Sequence, residues 1–104
     1  MYEKQMSAIA EGFRLVADSY VGQEQAVLGI IADCQNAMEA EREGAVGPWE
    51  KRELDYARIA VRDGFLRLAL VAAGKALVVS QLPRNEYEYG LSYGRPQADD
   101  NDGE

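Results

Sequence analysis

Histidine is absent from this sequence of 104 residues, and cysteine occurs only once, at Cys34. Catalytic units that move a proton through an imidazole ring are therefore excluded. Zinc sites and most redox-metal sites draw on histidine or on several thiolates, and a disulfide within the chain needs a second cysteine. Cys34 stands among apolar residues, which indicates a buried, unreactive thiol. We therefore expect no enzyme, no catalytic residue, no metal site and no cofactor.

Long uninterrupted hydrophobic runs are also missing. The most apolar stretch, residues 65–82, is interrupted by Arg67 and Lys75 and is only about long enough to span a bilayer. The N-terminus shows neither a signal-peptide pattern nor a lipidation motif. We therefore predict a cytoplasmic protein with no membrane partner, which agrees with a single unpaired cysteine.

Basic residues are in the minority: 11 stand against 18 acidic residues, for a net charge of −7. Four of the carboxylates lie in residues 99–104, so residues 1–98 carry 14 acidic and 11 basic side chains, a net charge of −3. Binding of duplex DNA is not expected, because it depends on a basic face. A local group of arginines is still able to hold a small phosphate-containing ligand.

Hydrophobic spacing predicts an all-α domain of three helices, one shorter and two long and antiparallel. The first helix covers residues 2–21 and places apolar side chains at intervals of three and four residues. The second runs from Gln23 to Glu43, and residues 44–47 separate it from the third. The apolar face of the first helix consists of Tyr2, Met6, Ile9, Phe13, Val16 and Tyr20.

The third helix begins at Pro48, which the first turn of a helix tolerates, and extends to about Val79. Its 32 residues would span roughly 48 Å, which exceeds the width of a domain of this size. Either Gly64 or Gly74 therefore marks a bend, or another subunit covers the helix. One apolar stripe comprises Leu54, Val61, Phe65, Leu68, Ala72, Ala76 and Val79. A second stripe comprises Ile59, Leu66, Leu70, Ala73 and Leu77. Because two short helices can hardly cover the second stripe, we predict a homo-oligomer.

The pattern changes at Pro83, where the helical domain, residues 1–82, is expected to end. Residues 83–96 form a tyrosine-rich segment, here called the arm, and residues 97–104 form an acidic tail that we expect to be disordered. Alternating apolar positions predict that the arm is extended; these positions are Tyr87, Tyr89, Leu91 and Tyr93. The arm either packs on the body or on a neighbouring subunit, or serves as a docking peptide.

Arginines of the third helix are the candidate ligand-binding residues. Arg58 and Arg62 lie one turn apart, and Arg62 and Arg67 flank the most apolar part of the chain. Guanidinium groups hold phosphates through bidentate, charge-assisted hydrogen bonds. Phe13 on the first helix is able to stack on a nucleobase. The structural alternatives are surface salt bridges for the arginines and a core position for Phe13.

Two short stretches carry a family resemblance. The first comprises Gly12, Phe13, Arg14 and Val16. The second comprises Ala57, Arg58, Gly64, Phe65, Leu68, Ala72 and Ala73. In residue type and spacing they resemble the opening and the last long helix of the phage anti-CBASS proteins, small helical proteins that sequester cyclic oligonucleotides. A tryptophan precedes that helix in the family as well, although Trp49 lies about one helical turn farther upstream. Leu28 and Leu70 stand about where that family has a lysine and an arginine.

The resemblance implies a non-enzymatic counter-defence protein, in the host cytoplasm if it is encoded by a phage. It would hold a cyclic di- or trinucleotide at subunit interfaces. Phe13 would stack on a base. The phosphates would be met by Arg14, Arg58, Arg62 or Arg67, from different positions. The alternative function is that of an acidic helical inhibitor or adaptor that occupies a basic surface of a partner protein.

Overall fold

The computed structural model of the protein describes residues 1–18 and 22–82. Within these residues the chain forms four α-helices and no strand, which confirms the all-α prediction. The helices are α1 (Glu3–Asp18), α2 (Glu24–Arg42), α3 (Pro48–Arg62) and α4 (Leu66–Gln81). The arm and the acidic tail lie outside the described residues, as do residues 19–21.

The prediction of one long third helix, and with it of a three-helix fold, is wrong. α3 ends at Arg62, and Gly64 adopts a left-handed backbone conformation with φ of 88°, which glycine tolerates without steric strain. The Phe65 N–H donates to the Ala60 carbonyl oxygen at 2.8 Å, so the chain leaves the helical path. α4 then begins at Leu66 and folds back on α3, with which it makes the largest interhelical contact.

This reversal lets a single chain bury most of both apolar stripes. The buried members of the second stripe are Leu66, Leu70, Ala73 and Leu77. The argument that this stripe needs another subunit is therefore wrong, and the homo-oligomer remains a prediction without that support. The stripe residues that are exposed are Ile59, Phe65 and Leu68.

α1 packs antiparallel to α4. The Tyr2 hydroxyl oxygen lies 3.0 Å from the Ser80 Oγ, which joins the start of α1 to the end of α4. Farther along α1, a Cβ added at Gly12 would lie 2.9 Å from side-chain atoms of both Ile30 and Leu70. The missing side chain of Gly12 therefore allows α1 to lie close to α2 and α4.

α2 packs antiparallel to α3. The guanidinium of Arg42 lies 3.6 Å from the buried carboxylate of Glu50, and the guanidinium of Arg58 donates to the side-chain oxygen of Gln35. Together with the α1–α4 contacts, this order places the second half of α1, the start of α2, the end of α3 and the start of α4 at one end of the bundle. We call it the turn end, because residues 62–67 reverse the chain there.

The core lies between the four helices, and its largest fully buried side chains are Val16, Val27, Ile31, Cys34, Met38, Leu54, Leu66, Leu70 and Leu77. In the part of the chain that the structure describes, no helix is both long and apolar enough to cross a membrane.

Candidate functional site

The turn end presents an aromatic ring to solvent between two arginines. Phe65 is 59% exposed, although the stripe pattern predicts a buried position. The reason is that Phe65 is not part of a helix: it precedes the first residue of α4, with φ of −96° and ψ of 71°. Arg62 and Arg67 flank it in sequence, and both are exposed. Sequence reasoning missed Phe65 as a candidate binding residue.

An open depression of about 330 Å³ lies at this turn. Its lining is Gly64, Phe65, Leu66, Arg67 and Leu68. It therefore combines an aromatic face with a guanidinium group, the two elements that bind a base and a phosphate. Stacking of a base on an aromatic ring stabilises binding by about 1–3 kcal/mol.

The two candidate arginines of α3, Arg58 and Arg62, differ in how readily they could bind a ligand. Arg58 donates a hydrogen bond to Gln35 on α2 and lies 3.8 Å from Asp55, so it takes part in helix packing. The Arg62 side chain is 72% exposed, and its ion pair within the described residues is with the neighbouring Asp63, at 3.3 Å. Exposed ion pairs of this kind contribute little free energy, about 0–1 kcal/mol, so a phosphate competes readily for Arg62.

Phe13 and Arg14 lie near the same end of the bundle. Gly12 packs against Leu70, so the antiparallel arrangement places Arg14 about level with the first turn of α4. The Arg14 side chain is 79% exposed and lies 3.3 Å from Glu11. Phe13 is half-buried and packs against the core, so its ring is less available for stacking than that of Phe65.

Cys34 is buried in the core, and no group of three potential metal-ligating residues occurs in residues 1–18 and 22–82. Desolvation by burial, with a smaller contribution from the charge of Asp33, raises the pKa of the Cys34 thiol from its ordinary value of 9.0 to about 11. The thiolate, which is the reactive form, is therefore disfavoured in the folded protein.

The raised pKa of Cys34 predicts a loss of stability in alkali. Above pH 9 the unfolded chain releases the thiol proton while the folded chain retains it until about pH 11. The free energy of unfolding should fall by about 1.4 kcal/mol for each pH unit between these values. Urea unfolding at several pH values between 9 and 11 measures this slope for the wild type and for Cys34→Ala. The variant lacks the thiol, so its free energy of unfolding should fall less steeply. Equal slopes for the two proteins would contradict the assignment.

A second concave surface lies between α3 and α4, and sequence reasoning missed it because Leu68 was placed in a buried stripe. This α3–α4 groove has a volume of about 370 Å³. Its lining is Arg52, Glu53, Tyr56, Leu68, Val71, Ala72 and Lys75. The Arg52 guanidinium lies 5.2 Å from the ring centroid of Trp49, and the Lys75 Nζ lies 3.9 Å from a Glu53 carboxylate oxygen.

The protein-binding alternative depends on the acidic tail, which lies outside the described residues. Comparison of the chain with known protein families, with curated proteins and with solved structures finds no match.

Proposed function

We propose that this protein is a non-enzymatic binding protein that sequesters a cyclic oligonucleotide at its turn end. The observation that carries the proposal is the exposed ring of Phe65, which shares an open depression with Arg67 and lies three residues after the exposed Arg62 in sequence. A cyclic di- or trinucleotide offers planar bases and phosphates together, and these groups match an aromatic ring flanked by guanidinium groups. The resemblance of residues 12–16 and 57–73 to the anti-CBASS proteins supports the same class of ligand.

A second copy of the chain would complete the site. The depression at the turn is open, and the described residues that line it supply one aromatic ring, Phe65, and one guanidinium group, Arg67. Arg14 is highly exposed near the same end of the bundle, where it is available to a ligand held between two copies. The proposal therefore includes the homo-oligomer, with the ligand bound where turn ends of neighbouring copies meet.

Local charge is compatible with an anionic ligand although the whole chain is acidic. Residues 1–98 have a net charge of only −3. Asp63 is the carboxylate paired with Arg62, and this pair is exposed. A phosphate would have to replace Asp63 as the partner of Arg62, which costs little because exposed pairs are weak.

Thermal unfolding with a panel of cyclic di- and trinucleotides tests the proposal. A ligand that binds only the folded state at about a hundred times its Kd adds about 2.7 kcal/mol to the free energy of unfolding. For a domain of this size, that corresponds to a rise in Tm of roughly 10 °C or more. We expect such a rise with at least one member of the panel, and its loss in the double variant Arg62→Ala/Arg67→Ala and in Phe65→Ala.

The matched control is Lys4→Ala/Lys51→Ala, which removes two positive charges at the opposite end of the bundle and should retain the rise in Tm. An equal loss in this control would show a general charge effect rather than a site at the turn. Absence of any rise across the panel at high micromolar ligand would refute the function. Native mass spectrometry of the wild type, with and without ligand, measures the number of copies.

A further inference from the structure

α4 carries an exposed apolar line in addition to its buried face. Leu68, Val71, Val78 and Leu82 are between 38% and 50% exposed. With Lys75 they follow one another at alternating intervals of three and four residues, so they lie along one side of the helix. From Leu68 to Leu82 the line is about 21 Å long, at 1.5 Å per residue.

α3 forms the other wall of the groove that follows this line. Tyr56 is 50% exposed, and Arg52 and Glu53 lie one turn before it. The floor is apolar, and the charged residues at its sides are Arg52, Glu53 and Lys75. An apolar groove of this kind fits an extended segment that carries aromatic residues at alternate positions.

Such a segment begins where the exposed line ends. Leu82 is the last residue of the line, and the arm follows from Pro83. Extended at about 3.3 Å per residue, residues 83–93 reach up to about 36 Å, which exceeds the length of the line even after a turn of four residues. The alternating apolar residues, Tyr87 to Tyr93, would then span about 20 Å. This span is comparable with the distance of about 15 Å from Val78 back to Leu68.

Charge is compatible with the same pairing, because residues 83–96 carry two acidic and two basic side chains. Glu86 and Glu88 flank Tyr87, and in an arm that runs back along α4 both come within reach of Lys75 and Arg52. The four alternating residues of the arm would face the apolar floor, while Glu86 and Glu88 would lie on the outer side of the extended segment, at the rim of the groove.

We infer that the arm of each chain docks in its own α3–α4 groove, antiparallel to α4, and covers the exposed apolar line. The tether makes docking intramolecular, with an effective concentration on the order of millimolar, so weak apolar contacts are sufficient. The inference does not depend on the proposed function, because the groove and the turn end use different side chains except for Leu68.

Disulfide trapping in the full chain tests the docking. The variant Val71→Cys/Leu91→Cys places one thiol in the groove and one in the arm. Native Cys34 does not interfere, because it is buried and its pKa is raised to about 11. Under oxidised glutathione we expect a disulfide within one chain, detected by intact mass and peptide mapping. It should form at least about ten times faster than in the control, because docking raises the local thiol concentration.

The matched control is Ser7→Cys/Leu91→Cys. Ile9 packs near Gly74, so the exposed Ser7 lies about level with Lys75 along the bundle but on the outer side of α1. Adding Tyr87→Ser and Tyr89→Ser to the Val71→Cys/Leu91→Cys variant should reduce its rate of disulfide formation to that of the control. Equal rates for the two pairs overturn the proposal. Disulfides formed mainly between two chains also overturn it, because they would assign the groove to the arm of a second copy.

Discussion

Replacement of Leu70 by alanine should lower the free energy of unfolding by about 2–5 kcal/mol. The Leu70 side chain is fully buried and packs against Gly12, so its loss leaves a cavity where α1 meets α4. Urea unfolding followed by circular dichroism measures the difference from the wild type. For a domain of this size the same change lowers Tm by roughly 10 °C or more.

Leu68→Ala is the matched control, since it makes the same substitution in the same helix. Leu68 lies outside the core and is 46% exposed in the described part of the chain, so even with the arm docked against it we expect a clearly smaller loss, about 1 kcal/mol. Similar losses for the two variants would contradict the packing, because Leu70 lies in the core between the helices and Leu68 lies outside it. The pair therefore tests which side of α4 faces the core.

Gly64→Val should destabilise the protein by about 2–3 kcal/mol through backbone strain. Gly64 has φ of 88°, which a β-branched residue rarely adopts, and a Cβ built there meets no atom within 4 Å. Steric contact therefore plays no part in the expected loss. Because Gly64 sets the direction of Phe65 and Arg67, we also expect the variant to lose any stabilisation by a cyclic oligonucleotide. Urea unfolding and the nucleotide panel measure the two effects.

Gly29→Val controls for the change of residue type. Gly29 is exposed within α2, and a Cβ there also meets nothing within 4 Å. Valine has a higher helix propensity than glycine, so this variant should be as stable as the wild type or slightly more stable. Gly64→Asn should be milder than Gly64→Val, because asparagine tolerates the left-handed region. Full stability of Gly64→Val would show that the chain does not reverse at Gly64.

The candidate site was only partly predictable from the sequence. Arg62 and Arg67 are recognisable from their places beside the apolar segment, and the structure exposes both at the turn. The exposure of Phe65 was not predictable. In a continuous helix from Pro48 to Val79, Phe65 falls on an apolar stripe and is expected to be buried, but it lies between α3 and α4. Arg58 has the same spacing signal as Arg62, but its contact with Gln35 on α2 depends on tertiary packing.

The sequence by itself determined the all-α class and those helix ends that local signals mark. α2 runs from Glu24 to Arg42, within one residue at each end of the predicted helix, and α3 begins at Pro48 as predicted. These features are local: side-chain spacing, a proline in the first turn and glycines in the connection act within a few residues of one another.

Only the tertiary structure decided between the two glycines as the point where the chain turns. Gly74 stays inside α4, and a Cβ there would lie 3.8 Å from Ile9 on α1. Gly64 reverses the chain, so that α4 packs against α3. On its other side α4 packs against α1, from Gly12, which lies beside Leu70, to Tyr2, which lies beside Ser80. Two apolar stripes of similar strength do not specify which side of a helix faces the core. That choice depends on the other helices, because burial is favourable only where they supply a complementary surface.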